Sequence, residues 1–202
     1  QSLYFPTGAL WFFQGDDTYA KKSLPLVNGA GLKAKEWPKS AIEKKYPQIN
    51  LSDLITFYYE DEAGYLPARH CCQVVLEQFV NKGGKYKQLA VQPGNMKNNQ
   101  LEKLKLSDGS TISADSYIFA CGPWLSEIFP EVLKDIIQPT RQEVFFFGTP
   151  YGDSRFFESN MPVWVDFGEK LWYGIPGADW RGFKFCLLYT SPSPRDATLS
   201  RM

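Results

Sequence analysis

Ile112-Ser113-Ala114-Asp115-Ser116-Tyr117-Ile118-Phe119-Ala120-Cys121-Gly122-Pro123-Trp124 is the stretch from which the fold of this chain is read. Tyr117 to Ala120 is a short, β-prone apolar run, opened by Asp115-Ser116 and closed by Gly122-Pro123. That pattern predicts a buried strand ending in a sharp turn. Glycine at such a strand end lets the backbone approach a ligand, because no Cβ stands in the way. At the carboxyl edge of an α/β sheet that ligand is commonly a dinucleotide. An ordinary tight turn after a strand carries the same signature, so the segment gains weight only from what surrounds it.

Working outward, Pro67 to Asn81 reads as a helix with Val74, Val75, Gln78 and Phe79 along one apolar side, ended by Gly83-Gly84. Lys85 to Val91 reads as a strand. Leu101 to Leu106 alternates, and Asp108-Gly109 is a hairpin turn into Thr111-Ile112. Nearer the start, Ala9 to Gln14 and Ile55 to Glu60 read as strands, and Leu32 to Glu36 as a short one. Thr18 to Asn28 and Pro38 to Tyr46 read as helices. Gln142 to Gly148 and Val163 to Ile175 are aromatic and alternating, the second broken at Phe167-Gly168-Glu169, as suits an antiparallel sheet. The expected class is mixed α/β: part of a Rossmann-like FAD-binding domain beside an antiparallel-sheet substrate domain. The corresponding boundaries are 1–54 and 139–185 for the substrate domain and 55–138 for the cofactor domain.

Three further segments occur in a telling order. Pro139-Thr140-Arg141-Gln142-Glu143-Val144 leads into Phe145-Phe146-Phe147. Leu171-Trp172-Tyr173-Gly174-Ile175-Pro176 is followed by Gly182-Phe183-Lys184-Phe185. With Cys121-Gly122-Pro123-Trp124 they resemble the D-amino-acid oxidase and sarcosine oxidase family of FAD enzymes. Pro6 to Leu10 and Tyr59 to Leu66 fit the same template more loosely. The resemblance implies oxidation of a C–N bond in an amino acid or N-alkyl amine, with FAD as cofactor, an imine product, and hydrogen peroxide formed from O₂. It implies that Cys121, Gly122, Pro123 and Trp124 pack beside the flavin. It also implies that Lys184 supplies a fixed positive charge near the flavin for oxygen reduction and that Tyr173 faces the substrate. Arg141 could hold a substrate carboxylate bidentately, though a structural ion pair explains it as well.

Two other readings stay open. A dehydrogenase of the same fold would pass electrons to a carrier instead of O₂. A non-catalytic binding domain would share only the strand patterns. The chain has no G-x-G-x-x-G, and Asn28-Gly29-Ala30-Gly31 reads as a helix end and turn rather than a phosphate loop. The expectation is therefore a fragment whose glycine-rich opening lies upstream of Gln1. At the other end, Cys186 to Asp196, CLLYTSPSPRD, is the translation of one frame of a common sequencing adapter, so residues 186–202 are expected to be non-native.

Composition narrows the classes further. With 44% apolar and 16% aromatic residues a packed core is expected, not disorder. The 22 basic and 22 acidic side chains balance and are dispersed, which leaves no electrostatic footprint for nucleic acid or an anionic membrane. No window approaches a membrane span. Cys71, Cys72 and Cys121 lack metal-ligand or disulfide-framework spacing. They read as reduced thiols, favouring an intracellular, cytoplasmic setting with an organelle such as the peroxisome left open. His70, the single histidine, reads as a helix-surface residue.

Overall fold

The computed structural model describes residues 2–98, 100–168, 171–177 and 182–187. Two compact units form, one from residues 1–74 with 141–202 and one from 75–140. The expected mixed α/β class is what the elements build.

The first unit is organised around β1 (Ala9–Phe13), a strand apolar on both sides and buried at four of its five positions. Helix α1 (Thr18–Gly29) follows, then β2 (Ala34–Glu36), α2 (Lys39–Lys45) and β3 (Thr56–Glu60). Helix α3 (Ala68–Asn81) starts in this unit and ends in the other. The second unit holds the short strands β4 (Val91–Pro93), β5 (Met96–Lys97), β6 (Gln100–Leu101), β7 (Leu104–Leu106) and β8 (Thr111–Ile112). The chain then returns to the first unit as β9 (Val144–Phe147), β10 (Val163–Phe167), β11 (Leu171–Ile175) and β12 (Phe183–Leu187).

Seven strands make one sheet in the order β2-β3-β1-β10-β11-β12-β9. Every adjacent pair is antiparallel except β1 with β10, which run parallel. The antiparallel sheet expected for residues 139–185 is thus extended by three strands from residues 9–60. β3, read in the sequence with the cofactor domain, hydrogen-bonds to β1 and β2 instead.

Strand alternation gives the sheet two different faces. On one, Leu10 and Phe12 of β1 meet Phe57 and Tyr59 of β3, and Ile42 of α2 with Tyr46, the residue that caps its end, close over them. On the other, Phe13 and Tyr58 pack against Ala20 and Leu24 of α1, again one turn apart. Tyr58 also donates its hydroxyl to Asp17 just before α1, at 2.8 Å, and burial with that bond pushes its phenol up to about 12.

Gly174 of β11 lies opposite Trp164 of β10. A Cβ there would overlap the indole, which is stacked near Phe12 and Phe183. The glycine is kept by space rather than by backbone shape. Gly174→Ala is expected to cost about 1–3 kcal/mol by overpacking, read as a drop in thermal midpoint. Adding Trp164→Leu should recover part of that loss, because the smaller side chain leaves room for the methyl.

In the second unit β4, β7 and β8 form an antiparallel sheet, and β5 pairs with β6. The Asp108-Gly109 turn joins β7 to β8 as its sequence predicts, with Gly109 at φ 83° and Asp108 accepting from the Ser110 amide. Two expectations fail here. Lys85 to Ala90 takes no regular structure, and Tyr117 to Ala120 is not a buried strand: Ile118 is 93% exposed. Both segments are β-prone, but a strand exists only where a neighbour accepts its hydrogen bonds. No described strand lies along either. Likewise Val75 and Phe79 of α3, read as an apolar side, are 66% and 52% exposed. Helical periodicity yields a stripe, not the surface that would cover it.

Candidate functional site

The face of the sheet that packs on α1 at one end carries a different set of residues at the other. In register, Lys184 of β12 stands between Ile175 of β11 and Phe146 of β9. Tyr173, two residues before Ile175, shares that face by strand alternation. The Lys184 Nζ lies 4.9 Å from the centroid of the Tyr173 ring, a cation–π contact that holds the ammonium over the sheet. Sequence spacing could not place these residues together, because they are eleven positions apart; the β11–β12 hairpin does.

Lys184, Phe146 and Ile175 form one wall of a cavity of about 520 Å³. The opposite wall comes from Tyr65, from Pro67 and from the first turns of α3, which contribute Arg69, His70 and Gln73. Tyr65 is fixed in place: its ring stacks on Phe5 at 4.9 Å, its backbone exchanges two hydrogen bonds with Phe5, and its hydroxyl donates to the Glu158 carboxylate. Among the described residues the lining holds two permanent cations, Lys184 and Arg69, and no carboxylate. Such a site favours negative charge, whether on a ligand or developing in a reaction.

The other residues singled out in the sequence lie elsewhere. Arg141 is exposed and outside the cavity lining. Gly122 to Trp124 form a single 3₁₀ turn, with Gly122 at φ 51° and open space where a Cβ would point. Cys121, Gly122 and Trp124 line an open groove with Val91 to Pro93 in the second unit, and Trp124 is 63% exposed. Pro123 sits in the same turn. His70, read as a helix-surface residue, is half-buried in the cavity wall. Arg69 had not been singled out at all. The sequence signal for both was Pro67 opening a helix, which puts the next two or three side chains at its first turn. Nothing local says what that turn faces.

A second cavity in the first unit, of about 760 Å³, is lined by Lys45, Tyr59 and Arg155 among others. Its groups are already engaged. Lys45 sits 5.1–5.2 Å over the rings of Trp37, Tyr46 and Tyr59. Arg155 is bidentate to Asp153, and burial pushes the Tyr59 phenol up to about 12. That chemistry is structural, and the Lys184 cavity remains the better candidate.

A cation on a β-sheet face, an aromatic partner beneath it and, among the described residues, a cavity lining without a carboxylate make a site that favours an anion. Residues 1–194 match the FAD dependent oxidoreductase (DAO) family, and the chain belongs to that family. A curated relative, the monomeric sarcosine oxidase of Bacillus sp. (strain B-0618), is 24% identical over 193 residues, covering 90% of this chain and 47% of the relative. The chain thus spans about half the length of that relative. Solved structures with the same fold include L-proline dehydrogenase from P. horikoshii, with a TM-score of 0.70 and 15% identity over 96% of this chain and 54% of that one. A thermally stable fructosyl peptide oxidase mutant gives 0.71 and 18% over 93% and 46%. Glycine oxidase from Bacillus cereus ATCC 14579 gives 0.65 and 17% over 98% and 55%.

The family is FAD-dependent, and the described residues fit part of that cofactor's needs: a cation-bearing cavity with apolar walls, and a glycine turn with an open backbone. They do not include a phosphate-binding turn. Gly29 ends α1 and Gly31 lies between that helix and β2, the reverse of the strand-then-helix order that turn requires. Residues 188–202, which hold most of the suspected adapter translation, lie outside the described residues. Cys186 and Leu187 complete β12, opposite Tyr173 and Trp172. No described helix is long and apolar enough to cross a membrane.

Proposed function

We propose that this chain is part of an FAD-dependent oxidoreductase that oxidises a C–N bond of an amino acid or N-alkyl amine. The unit built on the seven-stranded sheet is its substrate side, and the 75–140 unit is the later part of its cofactor domain. Membership of the FAD dependent oxidoreductase family supports this reading. The observation that carries it is Lys184 held over Tyr173 in a cavity free of described carboxylates.

In this reading Cys121, Gly122, Pro123 and Trp124 pack beside the cofactor, Gly122 through its backbone. FAD supplies a two-electron acceptor that no side chain provides. Lys184 stabilises negative charge that develops during electron transfer to O₂. Tyr173 orients Lys184 and presents its ring and hydroxyl to the substrate. Phe146 and Ile175 exclude water from one side of the cavity. Arg141 is exposed and outside this lining, and the reading gives it no part in the cavity.

The test is anaerobic addition of N-methyl amino acids and alkyl amines to the FAD-loaded protein. Bleaching of the flavin absorbance, followed by one equivalent of hydrogen peroxide on readmitting air, is the expected result. Bleaching without peroxide would transfer the acceptor role to an electron carrier. No bleaching by any of these compounds would overturn the reading.

A further inference from the structure

Tyr65 stands between two cavities of the first unit. It lines the Lys184 cavity, while Glu158, the acceptor of its hydroxyl, lines the other. The ring is held in one orientation: it is buried, stacks on Phe5 and is tied to that residue by two backbone hydrogen bonds. Its hydroxyl faces Glu158, so a carboxylate lies one hydrogen bond beyond the lining that carries Lys184 and Arg69. A carboxylate bonded to a fixed donor keeps its direction. One that loses the donor can turn toward a cation. On its own side Lys45 sits over three rings and Arg155 is bidentate to Asp153, which leaves the exposed Lys44 as the competitor. Water screens an exposed pair of that kind heavily.

We propose that Tyr65 is a positioning residue: by donating to Glu158 it holds that carboxylate out of the Lys184 cavity and leaves the positive charge there available to an anion. Removing the hydroxyl brings a negative charge toward Lys184. Removing the carboxylate as well takes that charge away again. The first change weakens anion binding and the second restores it. A residue that only filled space would behave otherwise, since a second substitution in a damaged wall does not repair the first. Tyr65→Phe keeps the ring and its stacking on Phe5, so the change is confined to one oxygen. The claim concerns the charge of the cavity and holds with or without bound cofactor. Its consequence for electron transfer to O₂ rests on the function proposed above.

The probe is thiocyanate, a small and weakly hydrated anion, titrated into the chain without FAD and followed by the backbone amide NMR signals of Phe146 and Ile175. In the wild type those signals shift saturably, and Lys184→Met abolishes the shift, which places the anion at this lysine. Tyr65→Phe raises the dissociation constant about tenfold, the order expected for one charge acting across about 10 Å at an effective dielectric constant of about 20. Adding Glu158→Gln to Tyr65→Phe returns it to within about twofold of the wild type, a coupling that only interacting residues show. A double variant as weak as Tyr65→Phe alone overturns the proposal. So does an unchanged Tyr65→Phe, or a wild type whose signals do not move with thiocyanate. In the FAD-loaded protein Tyr65→Phe slows reoxidation by O₂ and the double variant recovers it. A wild type that forms no peroxide removes the oxidation reading on its own and leaves the thiocyanate result to decide Tyr65.

Discussion

Lys184→Met is expected to slow the reaction of the reduced, FAD-loaded protein with O₂ by about 10²–10³-fold, the cost of removing one preorganised charge from a site where negative charge develops. Reduction by substrate should change by less than about threefold. The asymmetry follows from the geometry. Lys184 is held over Tyr173 at 4.9 Å to the ring centroid, so in the proposed reading its charge would be oriented beforehand and would cost no reorganisation when electrons pass to O₂. Methionine keeps the length of the side chain and much of the packing against Phe146 and Ile175, its cross-strand neighbours, and removes only the charge. Stopped-flow absorbance separates the two half-reactions. An equal slowing of both would remove Lys184 from the oxygen step and leave it a structural residue of the cavity wall.

Phe57→Ala should destabilise the first unit by about 3–5 kcal/mol, a large-to-small change in a close-packed core. Phe57 is 1% exposed and stands edge-on to Phe12 with ring centroids 6.0 Å apart. It belongs to the cluster that seats α2 on the sheet through Ile42 and Tyr46. Since domains are stable by only about 5–15 kcal/mol, that loss leaves a marginal fold. Phe57→Leu, which retains most of the volume, should cost less than half as much. The check is a urea titration followed by tryptophan fluorescence, which Trp37 and Trp164 report because both pack on this cluster. A midpoint within error of the wild type would mean that the surrounding residues close the cavity. The seven-stranded sheet would then not depend on this contact.

The helices and hairpins were legible because their signals are local. α1, α2 and α3 fall within a residue or two of the expected limits, each marked by a proline, a glycine or a capping side chain near its end. The Asp108-Gly109 turn forms because glycine takes φ 83° there and aspartate bonds the amide two residues on. The aromatic alternation read over Gln142 to Gly148 and Val163 to Ile175 likewise becomes strands β9, β10 and β11. For the family, shared order mattered more than any single motif, since Cys121-Gly122-Pro123-Trp124, Pro139 to Val144 and Tyr173 to Lys184 are each only moderately specific.

The strand read first, Tyr117 to Ala120, shows where local reading stops. Its composition sets a preference for extended backbone, but hydrogen bonds to a neighbour make a strand, and those come from residues distant in the chain. The same holds for β1 and β3, whose membership of the seven-stranded sheet with β9 to β12 depends on a parallel pairing of β1 with β10 across about 150 positions. Side-chain chemistry divides in the same way. Lys184 and Tyr173 could be named from residue type and order, but their contact required the β11–β12 register. Arg69 and His70 entered the cavity only because the start of α3 lies against the sheet. Periodicity and turn chemistry act over a few residues and are written in the chain as it stands. Facing surfaces, register and the meeting of charged groups arise from contacts between remote segments, so they exist only once the chain has folded.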